Sequence, residues 1–224
     1  MTSDRISDTV LILPAAGSSA RFGEDKLFYP LDGVPVFLHS LRTLAPLLEQ
    51  GRIILAVQQE RLADFRSALE KFLPDTPVRL VPGGVTRMES VLFALREAAR
   101  MPVRYAAIHD AARPFLTREM FLLCLEACRK HGGALLCRRI SDTVKRADSG
   151  NLSVETLDRD ALRAAETPQI FLLKELLDAY EKAAVSARTF TDDAQIMEEI
   201  ACMHPYLAEH EGDNRKITFR ADLA

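Results

Sequence analysis

The sequence predicts an α/β fold, a mostly parallel twisted sheet with helices on both faces, and three observations carry that prediction. Short apolar runs alternate with helical patterns along most of the 224 residues. The runs are continuously apolar, as strands covered on both faces are. The loops after several of them hold Gly, Ala and charged residues, at the strand ends where open α/β sheets bind ligands. Right-handed crossovers then make a Rossmann-like, doubly wound sheet the natural result.

The elements follow in order. Val10–Leu13 is the first strand, closed by Pro14. A helical stretch spans Val36 to Leu48, and Arg52–Val57 is a second buried strand. Helix Gln59–Phe72 leads to strand Val78–Val81. Thr86 opens a helix that runs to Arg100, and Tyr105–Ile108 is a strand ending in His109-Asp110. Helix Arg118–Lys130 leads to strand Ala134–Cys137. The rhythm breaks from Arg138 to Ala164, where Asp142–Arg146 meets Leu152–Thr156 across the polar turn Ala147–Asn151. This is a hairpin signal with too little apolar content to bury itself, so it should project and pack against a partner chain. The chain resumes with Gln169–Phe171, helix Leu173–Val185 and a helix opened by Thr191-Asp192-Asp193, and the final strand is expected at Lys216–Thr218. With no repeat, linker or low-complexity tract, residues 1–224 read as one domain with an arm at about 138–164.

Composition narrows the function classes. Apolar residues make up 48% and charged residues 27%, as in a soluble globular protein. A net charge of −3 gives no general attraction for nucleic acid or anionic membrane, so an anionic substrate needs local Arg and Lys. No apolar stretch is long enough to span a bilayer, and Met1–Asp8 lacks an apolar signal core, so a cytoplasmic location is expected. The four cysteines, Cys124, Cys128, Cys137 and Cys202, form no C-x-x-C pair, which argues against a zinc site, and Cys124 and Cys128, four apart on a helical pattern, read as buried small side chains.

Four constellations carry chemistry. Pro14-Ala15-Ala16-Gly17-Ser18-Ser19-Ala20-Arg21-Phe22-Gly23-Glu24, with Lys26 just beyond, puts small residues and two cations after the first strand. Such a loop can bring backbone N–H groups against a nucleoside triphosphate. It matches neither the P-loop nor the dinucleotide pattern. Gly83-Gly84, followed by Thr86, Arg87 and Ser90, allows close approach of a flat group such as a base, or is a plain glycine turn with a Thr cap. His109-Asp110-Ala111-Ala112-Arg113-Pro114 places a carboxylate where it can hold Mg²⁺ with phosphate oxygens. Arg113 should brace the loop on a carboxylate, and His109 should support the strand end rather than act as a base. Asp213-Asn214-Arg215-Lys216 could bring a lysine to a substrate phosphate, although alone it reads as a surface turn.

Taken together these residues, with Asp142-Thr143-Val144-Lys145, Asp158-Arg159 and Thr167-Pro168-Gln169, resemble the 2-C-methyl-D-erythritol 4-phosphate cytidylyltransferases of the non-mevalonate isoprenoid route. The resemblance runs from about Val10 to Ala221, and its most specific part is His109–Pro114. It implies a nucleotidyltransferase fold and in-line attack of a substrate phosphate oxygen on the α-phosphorus of CTP, which needs positioning and charge neutralisation above all. It implies that Arg21, Lys26, Arg159 and Lys216 act in catalysis. Pro14, Ala15, Ala16, Gly17, Gly83, Gly84, Ser90, Asp110 and Ala111 would bind the nucleotide. Thr143, Arg159, Thr167, Thr191, Asp213 and Lys216 would bind the second substrate's phosphate. Asp110 would meet Mg²⁺ or another divalent cation. The implied partners are CTP, a methylerythritol phosphate and a second copy of the chain, with Thr143 and Arg159 carried by an arm exchanged across a homodimer.

Some positions depart from the pattern. Asp25 and Leu27 flank Lys26 where the family has Pro and Gln, and an acid beside that lysine could weaken triphosphate binding. Val85 stands where Asp is common, Arg215 where an apolar residue is usual, and the terminal helix looks short. Two alternatives stay open: the same chemistry on another polyol phosphate such as ribitol 5-phosphate, and a CTP-binding regulatory protein without turnover.

Overall fold

The structure is a computed structural model that describes residues 5–17, 22–186 and 188–223. Its elements in chain order are β1 (Thr9–Pro14), β2 (Pro30–Leu31), β3 (Val34–Pro35), α1 (Val36–Leu44), β4 (Ile53–Val57), α2 (Leu62–Phe72), β5 (Arg79–Pro82), α3 (Arg87–Ala98) and β6 (Tyr105–Ile108). They continue with α4 (Arg118–His131), β7 (Gly133–Arg139), β8 (Lys145–Ala147), β9 (Ser153–Thr156), β10 (Arg163–Leu172), α5 (Leu173–Ala184), α6 (Asp193–Ile200) and β11 (Tyr206–Glu209). Short 3₁₀ turns at Ala45–Leu47 and Gln59–Arg61 account for the remainder of the two first expected helices.

Seven strands form one sheet in the order β11-β7-β10-β6-β1-β4-β5. Only β10 runs against its neighbours; it is antiparallel to both β6 and β7. Period-2 alternation divides the buried strands between two cores. Leu11, Leu13, Leu55 and Val57 face one layer with Phe37, Phe65 and Phe121 of α1, α2 and α4. Val10, Ile12, Ile54 and Ala56 face the other with Val91, Leu176 and Met197 of α3, α5 and α6. Both faces are therefore covered, as the continuous apolar runs require.

Two expectations need correction. Lys216–Thr218 is not a strand; it crosses the strand ends as irregular chain, with the Ile217 amide donating to Ala112 O at 2.8 Å. The last strand is β11, parallel to β7 at the sheet edge. Its signal is weak because an edge strand has one open side, and of Tyr206–Glu209 only Ala208 is buried.

The arm forms as a separate two-stranded sheet of β8 and β9, with Arg146 opposite Glu155. Every residue of both strands is exposed, and Leu152 and Val154 point outward at 68% and 58% exposure. The Asp148 carboxylate closes the turn by accepting from the Gly150 and Leu152 amides, both at 2.9 Å. Among the described residues no helix is long and apolar enough to cross a membrane.

Candidate active site

A cleft of about 190 Å³ opens at the carboxyl ends of β1 and β6, beside the start of α3. It brings together Ala16, Gly17, Lys26, Ser90, Asp110 and Lys216, with Pro14, Ala15 and Ala111 behind them. Arg21 lies outside the described residues.

The floor is built by close packing. A Cβ added at Gly83 would stand 2.5 Å from Ala16 Cβ and 2.9 Å from Ser90 Oγ, so the β5–α3 loop reaches the β1 loop only without a side chain. Gly83 and Gly84 do not line the cleft. They shape it: the Gly83 amide donates to Val57 O at 2.7 Å, and the Gly84 amide donates to Ser90 Oγ at 3.1 Å. Ser90, itself buried, passes that bond on to Thr86 O at 2.9 Å. Thr86 caps α3 in a reciprocal capping box with Glu89, which orients the helix start toward the cleft. Gln58 Nε2 donates to Ala16 O at 3.1 Å and tethers the β1 loop from the β4 side.

Asp110 is the electrostatic centre. Its Oδ2 accepts from Lys216 Nζ at 2.7 Å and its Oδ1 from Arg87 Nε at 3.2 Å. Burial alone would raise this carboxyl, but Arg87 and Lys216 outweigh it and hold Asp110 well below the ordinary carboxylate range. Arg87 is itself clamped by a bidentate pair to Asp193, at 2.9 and 2.8 Å, and Asp193 is fully buried beneath the Tyr180 hydroxyl. Burial opposes the Arg87 charge, yet Asp193 and Asp110 keep its pKa well above the usual value.

His109 supports the strand end. Burial lowers it to about 4, against hydrogen bonds that favour its charge, so the ring is neutral. Thr167 Oγ1 accepts from the Asp110 amide at 3.0 Å and lies 3.1 Å from His109 Nδ1. Its one proton must then go to Nδ1, which leaves Nε2–H to donate to Arg113 O at 3.1 Å. The Thr167 hydroxyl is thus occupied on both sides and holds Asp110 in place. Thr167 can do this because β10 is irregular between Ala165 and Gln169, where three of its residues face one of β7.

Other expected residues lie apart. Thr191 donates to Gln195 Oε1 at 3.0 Å and borders a hollow beside Arg87, outside the cleft that holds Asp110 and Lys216. Asp213 accepts from the Arg215 amide at 3.0 Å and lines an open basin of about 890 Å³ under the arm root. Thr143 and Arg159 are exposed on the arm and line neither hollow. The Asp25 carboxylate is paired with Arg61 and accepts from the Leu27 amide at 3.1 Å. Leu27 is buried in the cleft wall, and Val85 stands almost fully exposed at its lip. Burial pushes Cys124 well up and Cys128 to about 12, so neither is a nucleophile.

Sequence reasoning assigned no role to Tyr180, none to Asp193 beyond the start of its helix, and none to Arg87 or Gln169 beyond their places in the motifs. Gln169 clasps α6 to β10, accepting from the Ala194 amide at 2.8 Å and donating to Asp192 Oδ2 at 2.9 Å. The signal available was Arg87 itself, a cation three residues before Ser90.

A divalent cation fits the donor set. Asp110 is ionised, lines the cleft, and keeps lone pairs beyond those that Arg87 and Lys216 occupy. Among the described residues no group of three His, Cys, Asp or Glu could cage a metal, so a cation here would rely on substrate phosphate and water, as Mg²⁺ does.

The family model described as "IspD: 2-C-methyl-D-erythritol 4-phosphate cytidylyltransferase" matches residues 9–224. The chain belongs to the IspD family. A 2-C-methyl-D-erythritol 4-phosphate cytidylyltransferase of Bacillus mycoides is 36% identical over 215 residues, covering 95% of this chain and 93% of that one. A bifunctional IspD/IspF enzyme of Rhizobium etli is 36% identical over 220 residues, and there the match covers 54% of the longer protein. Among solved structures, the 4-diphosphocytidyl-2C-methyl-D-erythritol synthase of Anaerococcus prevotii superposes with a TM-score of 0.83 at 28% identity, covering 97% of this chain and 93% of that one. The likeness of fold to IspD structures includes the mostly parallel sheet and its helices.

Proposed function

We propose that the protein joins CTP to 2-C-methyl-D-erythritol 4-phosphate, giving 4-diphosphocytidyl-2-C-methyl-D-erythritol and pyrophosphate in isoprenoid precursor biosynthesis. The observation that carries this reading is the meeting of Asp110 and Lys216 at the mouth of a glycine-bounded cleft, in a chain matched to the family over residues 9–224. Relatives named for this activity do not favour ribitol 5-phosphate or a binding-only role.

A phosphate oxygen of the second substrate attacks the α-phosphorus of CTP, a P–O bond forms, and the bond to pyrophosphate breaks. The chain's part is positioning and charge. Ala15, Ala16 and Gly17 offer backbone to the nucleotide, and the tight floor from Gly83 to Ser90 admits a pyrimidine better than a purine. Arg21 and Lys26 stabilise the charge growing on the α-phosphate and leaving group. Lys216 receives the second substrate's phosphate, with Asp110 keeping it at the cleft mouth. Bound at Asp110, Mg²⁺ would neutralise triphosphate charge and orient it.

The working unit in this reading is a homodimer of single-domain subunits in the cytoplasm. Thr143 and Arg159 sit on an exposed arm and neither residue lines a hollow of its own subunit, and an isolated hairpin is marginal in water. Exchange of the arm at about 138–164 would bring Arg159 to the partner's substrate phosphate, with Thr191 and Asp213 bordering it.

The test is pyrophosphate release with CTP and Mg²⁺, comparing 2-C-methyl-D-erythritol 4-phosphate with ribitol 5-phosphate. Release with the first alone is expected. Release with the second alone moves the protein to another polyol phosphate, and CTP binding without release makes it a binding protein.

A further inference from the structure

We infer that Glu166 is a positioning residue for the proposed transfer: its buried carboxylate fixes the Asn214–Lys216 segment against Asp110 and ties that segment to the arm root at Arg138. This deepens the cytidylyltransferase reading and rests on it.

Glu166 is 4% exposed, between exposed Ala165 and buried Thr167, so its buried charge needs partners. Its Oε1 accepts from Arg138 Nε at 3.1 Å, where β7 leaves the sheet for the arm. Its Oε2 accepts from Asn214 Nδ2 at 2.8 Å and lies 3.1 Å from His210 Nε2 and 3.7 Å from Arg113 Nη1. One carboxylate thereby joins both ends of the arm to the loop that carries Lys216.

Asn214 depends on that contact. Its amide nitrogen donates to Glu166 and, at 2.9 Å, to Thr167 O, while its buried Oδ1 has no partner among the described residues. Both partners only accept, so the amide orientation is fixed by chemistry. Arg113 Nη1 donates to Asn214 O at 2.7 Å and the Ile217 amide to Ala112 O at 2.8 Å, which leaves Lys216 spanning between two anchored residues. Thr167, the next residue after Glu166, sets the Asp110 amide. Both members of the Asp110–Lys216 pair are therefore placed from one two-residue step of β10.

A buried acid that served stability alone would leave substrate affinities untouched. Glu166→Gln keeps the shape and removes the charge. The expected result is about a tenfold rise in KM for the polyol phosphate, with KM for CTP within about twofold. Asn214→Ala should do the same, and the double variant should be no worse than the poorer single one, since both act on one contact. A readout independent of turnover is acetylation of Lys216 by acetic anhydride, followed by mass spectrometry: severalfold faster labelling in Glu166→Gln is expected. Unchanged or equally raised KM values, additive variants, or labelling at the wild-type rate overturn the inference. If Glu166→Gln does not fold, Glu166→Asp decides, because it keeps the charge and shortens the reach: a raised KM for the polyol phosphate supports the inference and a normal one overturns it. Wild-type protein that releases no pyrophosphate with either polyol phosphate refutes the transfer reading, and the labelling arm then still decides the positioning.

Discussion

Lys216 Nζ lies 2.7 Å from Asp110 Oδ2, across 106 residues of sequence, and Arg87 holds the other oxygen of the same carboxylate at 3.2 Å. Asp110 is therefore ionised and immobile before any substrate arrives. A charge fixed in advance costs no reorganisation when the reaction charge develops.

Because Arg87 stays on Asp110 when the lysine is removed, Lys216→Ala should leave the nucleotide side intact. KM for the polyol phosphate should rise by about tenfold or more, and KM for CTP much less. Steady-state pyrophosphate release checks this, and equal effects on both substrates would contradict the role of Lys216.

Asp193 is fully buried, and among the described residues its only charged partner is the bidentate Arg87. Asp193→Asn removes one charge of a buried pair but leaves Arg87 with Asp110, so the cost should be below that of a fully broken pair, about 2 kcal/mol. For a chain of this size that is a fall in Tm of about 4–8 °C, read by thermal unfolding. An unchanged Tm would show that the Arg87 clamp contributes nothing to the fold.

His109 titrates near 4 when folded, against 6.5 for an ordinary histidine. Between those values the unfolded chain holds a proton that the folded one lacks, so stability is complete above pH 6.5 and falls as pH drops toward 4. The slope from this one group approaches about 1.4 kcal/mol per pH unit. Urea midpoints at pH 7 and pH 5 should differ clearly in the wild type and less in His109→Gln. The same difference in both proteins would remove His109 as the source.

Gly83→Ala would push a methyl to within 2.5 Å of Ala16 Cβ, in the floor of the cleft. The two loops must then separate, and KM for CTP should rise about tenfold while KM for the second substrate changes little. An unchanged KM for CTP in Gly83→Ala would sink the close-packing argument.

Much of the fold was legible in sequence because its signals are local. Val10–Leu13, Ile53–Val57 and Tyr105–Ile108 are buried on both faces, so they carry no alternation and read at once as inner strands. Thr86 and Asp192 are caps whose side chains accept from amides three residues on, again within one helical turn. The hairpin was legible from its polar turn and its poverty of apolar residues. β11 and the irregular path of Lys216–Thr218 were not, since an edge strand and a crossing loop differ only in what lies beside them.

The order of residues alone was enough to identify the chemistry-bearing groups and, for the Pro14–Gly17 loop after β1 and Asp110 after β6, the strand ends they follow; it supplied the lysine at 216 without its setting. Only the tertiary structure decided that Asp110 is shared by Arg87 and Lys216, that Asp193 and Tyr180 clamp the arginine from below, and that Glu166 gathers Arg138, His210 and Asn214. The physical reason is range. Periodicity and capping act within a turn or a strand, whereas these ion pairs and hydrogen bonds join residues brought together by the strand order β7-β10-β6 and by the irregularity in β10 that turns Glu166 and Thr167 toward their partners.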